Sequence, residues 1–316
     1  MLTGPGAAGG SASGRNLIVA SSMGRPDAGG AYPDVVIELD DLPPLRSPLM
    51  LAAFEGWNDA GEAASAVIAH LAAAWDAQPV ATIDPEEYYD LQVNRPRIST
   101  VDGTRRITWP STTLLVATPE ELDHDLILVD GIEPSMRWRA FCAELLAFAD
   151  SADATLLVCL GALLAEAPHT RPLPVGLSSA DPVVRERYGA VRNTYEGPTG
   201  IVGVLADAAF QLDVPALSCW ASVPHYAAGT HSPKASLALL RALEDLFSWT
   251  LPHGDLEERA RAWERGVDQL AEGDDEIASY VKALEESSDA AEHPQASGDA
   301  IAREFERYLR GRDDPR

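Results

Sequence analysis

The stretch LAAFEGWNDAGEAASAVIAHL, residues 51–71, joins an apolar run to a helical pattern through a short polar corner. The apolar run stops abruptly at Glu55, and Gly, Trp, Asn and Asp follow before the helical spacing begins. A strand that passes into a helix in this way is the repeating unit of α/β proteins. In such proteins, ligands gather at the carboxyl ends of the strands. The corner therefore predicts either a binding edge or only the cap of a helix.

Apolar, β-branched runs alternate with helical patterns along the middle of the chain. This alternation predicts an α/β fold over residues 34–252: a three-layer α/β/α sandwich with a mostly parallel sheet buried on both faces. Asp102-Gly103, between the alternating arms of residues 97–110, predicts a β-hairpin. Strands are predicted at 49–54, 114–119, 126–131, 155–161 and 216–224, and helices at about 61–76, 136–150, 199–212 and 233–248.

The two ends of the chain differ from this middle part. Residues 1–33 are rich in Gly, Ser and Ala and predict a disordered tail. Residues 253–312 show no strand pattern and predict an acidic helical subdomain, opened by a capping box of Asp255 and Glu258. Residues 286–299 break its periodicity and predict a loop. Three apolar stripes predict its helices: Leu256, Ala260, Trp263, Val267 and Leu270; Ile277, Tyr280, Val281 and Leu284; and Ile301, Phe305, Tyr308 and Leu309.

Charge and cysteine content narrow the classes of partner. The formal net charge of −25 repels phosphate backbones and anionic membrane surfaces, so neither nucleic acid nor a membrane is expected as a partner. No apolar run reaches 18 residues, and the N-terminus lacks a signal-peptide layout. The odd number of cysteines and their apolar surroundings predict buried, reduced thiols and a cytoplasmic protein. Cys142, Cys159 and Cys219 have no metal-ligand spacing, so no metal and no cofactor is expected.

The first candidate residues lie in the opening corner. Asp59 and Glu62 have the Asp-x-x-Glu spacing of a capping box, which favours a structural role for both. Glu55 ends a strand predicted to be buried, where a carboxylate is costly unless it is paired or reaches solvent. Glu55 and Asn58 are equally open to a polar binding corner and to a structural role.

A second strand, residues 126–131, also ends beside a glycine and an acid, Glu133. Two carboxylates at one sheet edge, Glu55 and Glu133, could perform acid/base chemistry or hold a cation. The favoured alternative is that Arg137, Arg139 or Arg171 neutralises them.

Three more loops carry candidate residues. His169 and Thr170 follow one predicted strand, and His225 and Tyr226 follow another; ordinary hydrogen bonding is favoured over a shared pocket. Thr199 lies in EGPTGIVG, residues 196–203, where free N–H groups at a helix start could hold an anion, although a tight turn is favoured. The chain has no Gly-x-Ser-x-Gly elbow and no His-Glu-x-x-His motif, so catalytic residues cannot be assigned.

Over Val36–Arg312 the chain resembles the proteasome-assembly-chaperone-2 family, in its actinobacterial branch. The stretches that carry the resemblance are AAFEGWNDAGEAAS, YYDLQVNRPRI, RRITWP, DGIEPSMRWRAFCAELL, GALLAEAPHTRPLPV, YEGPTGIVGVLADAA and ASVPHYAAGTHSPKASLALLRALE.

The resemblance implies a sandwich similar to the phosphorylase/hydrolase-like fold and self-association, for which a trimer is expected. It also implies proteasome subunits as candidate partners. Because fold does not determine function, two functions are carried forward. The favoured one is a non-enzymatic, homo-oligomeric interaction or assembly factor. The alternative is an enzyme of hydrolase or phosphorylase type, with a polar pocket at the carboxyl ends of the strands.

Overall fold

The computed structural model of the protein describes residue 42 and residues 44–290. The predicted N-terminal tail and the predicted third C-terminal helix lie outside these residues. The strands are β1 (Leu49–Glu55), β2 (Gln78–Ile83), β3 (Arg97–Val101), β4 (Thr104–Thr108), β5 (Thr112–Ala117), β6 (Leu126–Ile132), β7 (Leu156–Ala165), β8 (Val175–Ser178) and β9 (Ala216–Pro224). The helices are α1 (Ala63–Ala74), α2 (Pro85–Tyr88), α3 (Trp138–Ser151), α4 (Pro182–Tyr188), α5 (Ile201–Gln211), α6 (Pro233–Phe247), α7 (Leu256–Glu272) and α8 (Asp275–Ala290).

Seven strands form one sheet in the order β2-β5-β6-β1-β7-β9-β8. The four central strands, β6, β1, β7 and β9, are parallel, whereas the outer pairs are antiparallel: β5 with β6, β2 with β5, and β8 with β9. The predicted α/β/α sandwich is confirmed, but the sheet is mixed rather than mostly parallel. One reason is the connection between β5 and β6, which spans only residues 118–125. A parallel crossover needs a dozen or more residues, so this connection returns the chain antiparallel.

The sheet is covered on both faces by helices. Helices α1 and α6 pack on one face, and α3 and α5 pack on the other. Strand β1 contributes alternate residues to the two cores: Leu49, Leu51 and Ala53 face α1 and α6, whereas Met50 and Phe54 face α3 and α5. This strand is therefore buried on both sides, and each large apolar side chain stabilises the fold by about 1.5–3 kcal/mol.

The three cysteines are free and buried, as predicted. Burial raises the pKa of the Cys142 thiol to about 12, and that of the Cys219 thiol to about 12. Both thiols therefore stay protonated at neutral pH and act as small apolar side chains.

Strands β3 and β4 form a separate two-stranded hairpin. Its turn is Asp102-Gly103, and both residues have positive φ angles, 50° and 76°. This is the backbone that a two-residue type I′ turn requires, so the hairpin predicted from the sequence is confirmed. All ten strand residues of the hairpin are exposed.

Helix α7 packs against α6, and α8 packs against α7. Leu256 and Ala260 of α7 belong to the same core as the sheet, so the predicted division after residue 252 stays a prediction. Leu270, predicted to pack the tail, is exposed because it lies to one side of the buried stripe. Among the described residues, no helix combines the length and the apolar character needed to cross a membrane.

Two predictions about the ends of these helices are wrong. The Asp255 side chain makes no capping hydrogen bond to α7; its carboxylate lies 3.8 Å from Arg259 one turn later. Helix α8 continues to Ala290, so the first five residues of the predicted 286–299 loop are helical. Residues 291–299 lie outside the described residues.

Asp59 caps α1 from across a turn. Its Oδ1 accepts hydrogen bonds from the Ala64 N–H (2.7 Å) and the Ser65 N–H (3.3 Å), and its Oδ2 accepts one from the Ser65 hydroxyl. The predicted capping role of Asp59 is confirmed, but the predicted role of Glu62 in the same capping box is wrong. Gly61 and Glu62 have positive φ angles, so the helix begins only at Ala63 and the Glu62 side chain turns away. It lies 2.8 Å from the ring of His231.

Replacing Asp59 by alanine should lower the free energy of unfolding by about 2 kcal/mol, because buried N–H groups of α1 lose their acceptor. Urea unfolding followed by circular dichroism measures this. Glu62→Ala is the matched control; its side chain is exposed, so its effect should stay within about 0.5 kcal/mol. Equal losses in the two variants would show that Asp59 does not cap the helix.

Candidate functional site

The carboxyl ends of the four parallel strands meet at one edge of the sheet, and the candidate residues lie along it. They do not form one cluster. The described contacts divide them into a polar group around α5, the cap of α1, and a group that faces α7 and α8. By position, Glu55, Asn58 and Asp59 end or follow β1; Glu133 follows β6; His169 follows β7; His225 follows β9; and Thr199 precedes α5.

Asn58 and Glu133 meet at the start of α5. The Asn58 Nδ2 donates to Glu133 Oε1 over 2.8 Å, and the same oxygen accepts from the N–H of Ile201 over 2.9 Å. This contact needs a glycine at residue 200, because a Cβ there would lie 2.1 Å from Asn58 Nδ2. A carboxylate is also favoured at a helix N-terminus by the helix dipole. The helix start at which the sequence allowed an anion to bind is thus occupied by a side chain of the protein, that of Glu133.

The predicted neutralisation of Glu133 by arginine is wrong. No hydrogen bond or ion pair within the described residues joins Arg137, Arg139 or Arg171 to it. Arg137 pairs with Glu87, and Arg171 pairs with the C-terminal helix α8. An amide and a helix N-terminus take the place of the arginine, and the spacing of residues along the chain could not indicate either.

The backbones of Glu55 and Glu133 are hydrogen bonded (Glu133 N–H to Glu55 C=O, 2.8 Å), but within the described residues their side chains share no hydrogen-bond partner. Partial burial and then the nearby carboxylates of Asp130, Glu62 and Asp59 raise the pKa of Glu55. Burial likewise raises the pKa of Asp130. The edge is therefore acidic. Across the described residues, no three His, Cys, Asp or Glu side chains form a group that could hold a metal ion.

His169 is an anchor for α7. Its ring is 1% exposed, and both ring nitrogens have partners: Nδ1 lies 2.8 Å from the Tyr226 hydroxyl, and Nε2 lies 2.9 Å from Asp268 Oδ1. The His169 N–H also donates to the Tyr226 hydroxyl. Lys234 donates to the carbonyl oxygen of His169 and pairs with Glu264 of α7 over 2.5 Å. These bonds join the loop after β7 to the C-terminal helices.

The next two residues of this loop bind α8. The Thr170 hydroxyl donates to Glu285 over 2.5 Å, and Arg171 makes a two-bond pair with Asp289, each bond 2.8 Å long. This pairing lowers the pKa of Asp289. The acidic partners on α7 and α8 were not singled out in the sequence, because an acid beside an apolar stripe is usually only a solvated side chain.

His225 faces the same helices. Its ring centroid lies 5.3 Å from that of Tyr280 in α8 and 5.7 Å from that of Tyr226, both in edge contacts. In the described part of the chain no contact brings His169 or His225 to Asn58 or Glu133. Both histidine loops therefore adjoin the C-terminal helices, but His169 is buried against α7 whereas His225 stays exposed beside α8.

Asn58 and Thr199 do share a concavity. Both line a cavity of about 370 Å³ between α5 and the adjoining faces of β8 and β9. Its lining mixes aromatic and hydroxyl side chains, a combination that no local motif of the sequence indicated. The aromatic members are Trp57, Tyr195, Phe210 and Trp220, and the buried hydroxyl members are Ser178, Ser179 and Ser218.

Comparison with known proteins identifies relatives along most of the chain. The model of the PAC2 family matches residues 53–271. A PAC2 family protein from Streptomyces avermitilis is similar at 54% identity and a TM-score of 0.70, covering 74% of this chain and 99% of its own. A proteasome-assembly chaperone homologue from Mycobacterium tuberculosis is similar at 47% identity and a TM-score of 0.67, with the same coverage of both chains.

A more distant structure shares the fold alone. It is PbaB of Pyrococcus furiosus, an archaeal proteasome activator, at 15% identity and a TM-score of 0.56, covering 73% of this chain and 96% of its own. No curated protein matches the chain.

Glu55→Gln should raise the free energy of unfolding at neutral pH, and it should change that free energy less in acid. Because the pKa of Glu55 is raised in the folded state, the folded protein holds the proton more tightly than the unfolded chain. Its ionisation therefore costs stability, a cost that develops above the ordinary glutamate pKa and vanishes below it. Thermal unfolding at pH 7 and at about pH 4 measures the difference. A variant less stable than the wild type at pH 7 would contradict this.

Arg171→Ala should loosen α8 while α7 stays bound, because α7 keeps its contacts to His169 and Lys234. Limited trypsin digestion read by mass spectrometry should show faster cleavage at Lys282. Arg259→Ala, which removes a long exposed ion pair within α7, is the control and should leave that rate unchanged. If both variants are cleaved like the wild type, the loop does not anchor α8.

Proposed function

The chain belongs to the PAC2 family, and we propose that it acts as a non-enzymatic, homo-oligomeric protein-interaction factor of the proteasome-assembly type. Its relative from Mycobacterium tuberculosis is a proteasome-assembly chaperone homologue, which supports proteasome subunits as the clients. The proposed assembly is a trimer. The three buried, unpaired cysteines fit the reducing conditions of the cytoplasm, where we place the protein.

The exposed hairpin of β3 and β4 carries this proposal. Ile98 and Ile107 lie opposite each other across its two strands and are 56% and 39% exposed; Val101 is also exposed. A two-stranded hairpin without a core to cover it is marginally stable in water. An exposed apolar face of this kind marks a surface that binds another protein.

The charge of the hairpin indicates what kind of protein binds to it. Residues 94–108 contain Arg95, Arg97, Arg105 and Arg106 and a single acid, Asp102, whereas the whole chain has a net charge of −25. A basic arm on an acidic protein is complementary to the surface of a second copy, and such complementarity speeds encounter and sets register. The occupant that we propose for this arm is therefore another copy of the chain.

The described contacts favour interaction over catalysis. Asp59, Glu133 and His169 are the candidate acid/base groups with the least access to solvent among those at the sheet edge. Each is held by hydrogen bonds within the protein: Asp59 to α1, Glu133 to Asn58 and α5, and His169 to Tyr226 and α7. Groups held in this way serve the architecture, so the enzyme alternative receives no support from them.

Replacing both Ile98 and Ile107 by serine should convert the oligomer to monomer, because the apolar face of the arm is lost while its charge is kept. Light scattering coupled to size exclusion at micromolar concentration should show a multiple of 33.8 kDa for the wild type and 33.8 kDa for the double variant. Val183→Ser, at a more exposed apolar residue of α4 (69%), is the control and should keep the assembly. A monomeric wild type, or a double variant that keeps its assembly, would contradict the proposal.

The same double variant tests whether clients require the assembled form. Proteasome subunits from the native host should be captured by the immobilised wild type and by Val183→Ser. The monomeric double variant should capture them at least tenfold less. Failure of the wild type to capture any proteasome subunit would remove the proteasome from the proposal and leave self-association to stand on the light scattering.

A further inference from the structure

The cavity beneath α5 is walled by secondary structure rather than by loops alone. Its floor is the sheet face that presents Ser178 of β8 and Ser218 and Trp220 of β9, and its roof is α5, with Gly203 and Ala206. The other face of β8, with Val175 and Leu177, points away toward α6. Its volume of about 370 Å³ falls within the range of small-molecule sites.

Three oxygen atoms on buried residues that line this cavity make no hydrogen bond within the described part of the protein. Ser178 and Ser218 are opposite each other in the β8–β9 register and are 7% and 8% exposed, and neither hydroxyl makes a hydrogen bond to the described residues. Asn58 is 3% exposed and uses its Nδ2 for Glu133, which leaves its Oδ1 as a free acceptor there. Because these oxygens have no partner in the described part of the protein, they are available to hydrogen bond an occupant of the cavity.

The aromatic lining gives the occupant an apolar face. The Trp220 ring packs against Gly161, where a Cβ would lie 2.6 Å from the ring. The absence of a side chain at Gly161 therefore makes room for the indole at the floor of the cavity. Trp57, which is 36% exposed, and Tyr195 also line the cavity. Aromatic faces bind flat rings and the C–H faces of saturated rings.

The charge of the lining excludes an anion. Among the described residues, no Lys, Arg or His lines the cavity, whereas the acidic residues Asp181 and Asp207 do. A phosphate or carboxylate group would find no cation and would be repelled. Two serine hydroxyls and an amide oxygen instead suit hydroxyl and N–H donors on an uncharged molecule.

We infer that this cavity binds an uncharged ring compound that carries hydroxyl groups, the chemistry shared by free sugars and nucleosides. The ring lies against Trp220 and Trp57, and its hydroxyl groups bond to Ser178, Ser218 and the Asn58 Oδ1. The site lies on a different element from the hairpin and does not depend on the interaction role.

Saturation-transfer NMR with the full-length protein tests this, with uridine, adenosine and methyl α-glucoside each titrated to about 10 mM. At least one probe should show saturable binding. Ser218→Ala should weaken it about tenfold by removing one hydrogen bond to the ligand, and Ala206→Phe, which fills the cavity from α5, should abolish it. Ser151→Ala, at an exposed serine of α3 outside the cavity, is the control and should bind like the wild type.

Binding of the nucleosides without the glucoside identifies a nucleoside site, and binding of all three identifies recognition of the sugar ring. The inference is overturned if no probe binds, or if binding survives both Ser218→Ala and Ala206→Phe. It is also overturned if uridine monophosphate binds more tightly than uridine, because the cavity would then accept an anion. Ser218→Ala keeps the test valid if Ala206→Phe does not fold.

Discussion

Residues 49–54 of strand β1 are buried on both faces of the sheet, and this constraint governs the polar edge of the sheet. The chain leaves the strand at Glu55 and must satisfy every polar group before α1 begins. It does so within a few residues: the Asn58 carbonyl oxygen accepts the Ala162 N–H of β7 over 2.8 Å, the Asn58 side chain binds Glu133, and Asp59 caps α1. A corner that resembles an active site in its residue types is thereby engaged in joining β1 to β6, β7 and two helices.

The same distinction applies to His169. A histidine between a hydroxyl and a carboxylate resembles a catalytic relay, but here the hydroxyl is that of Tyr226, and burial raises its pKa to about 12. Such a phenol is a poor nucleophile or base at neutral pH, and the carboxylate, Asp268, belongs to the helix that the loop holds. The His169 group therefore holds α7 against the α/β layers. Arg171 holds α8 in the same way.

Within the described residues, the hairpin and the serine hydroxyl groups of the cavity take no part in these structural contacts, and they lie on different elements. The hairpin of β3 and β4 exposes apolar and basic side chains that contribute nothing to the core, which is why it supports an interaction role. The cavity under α5 is lined by serine hydroxyl groups that make no hydrogen bond to the described residues, which is why it supports a ligand. A protein that assembles through the hairpin would leave the cavity free, so a small molecule and a second copy need not compete.

The amino-acid sequence by itself determined the local elements. The alternation around Asp102-Gly103 specified the hairpin, the change of period at Glu55 specified β1 and α1, and Asp59 specified the start of that helix, because each signal acts between residues a few positions apart. Strand β8 escaped notice because its four residues, VGLS, are too short to show a period. Only the tertiary structure decided the partners of the candidate residues. Asn58 and Glu133 are 75 positions apart in the sequence, and His169 and Asp268 are 99 apart. Strand register and helix packing bring each pair into contact, and no local sequence pattern contains that information.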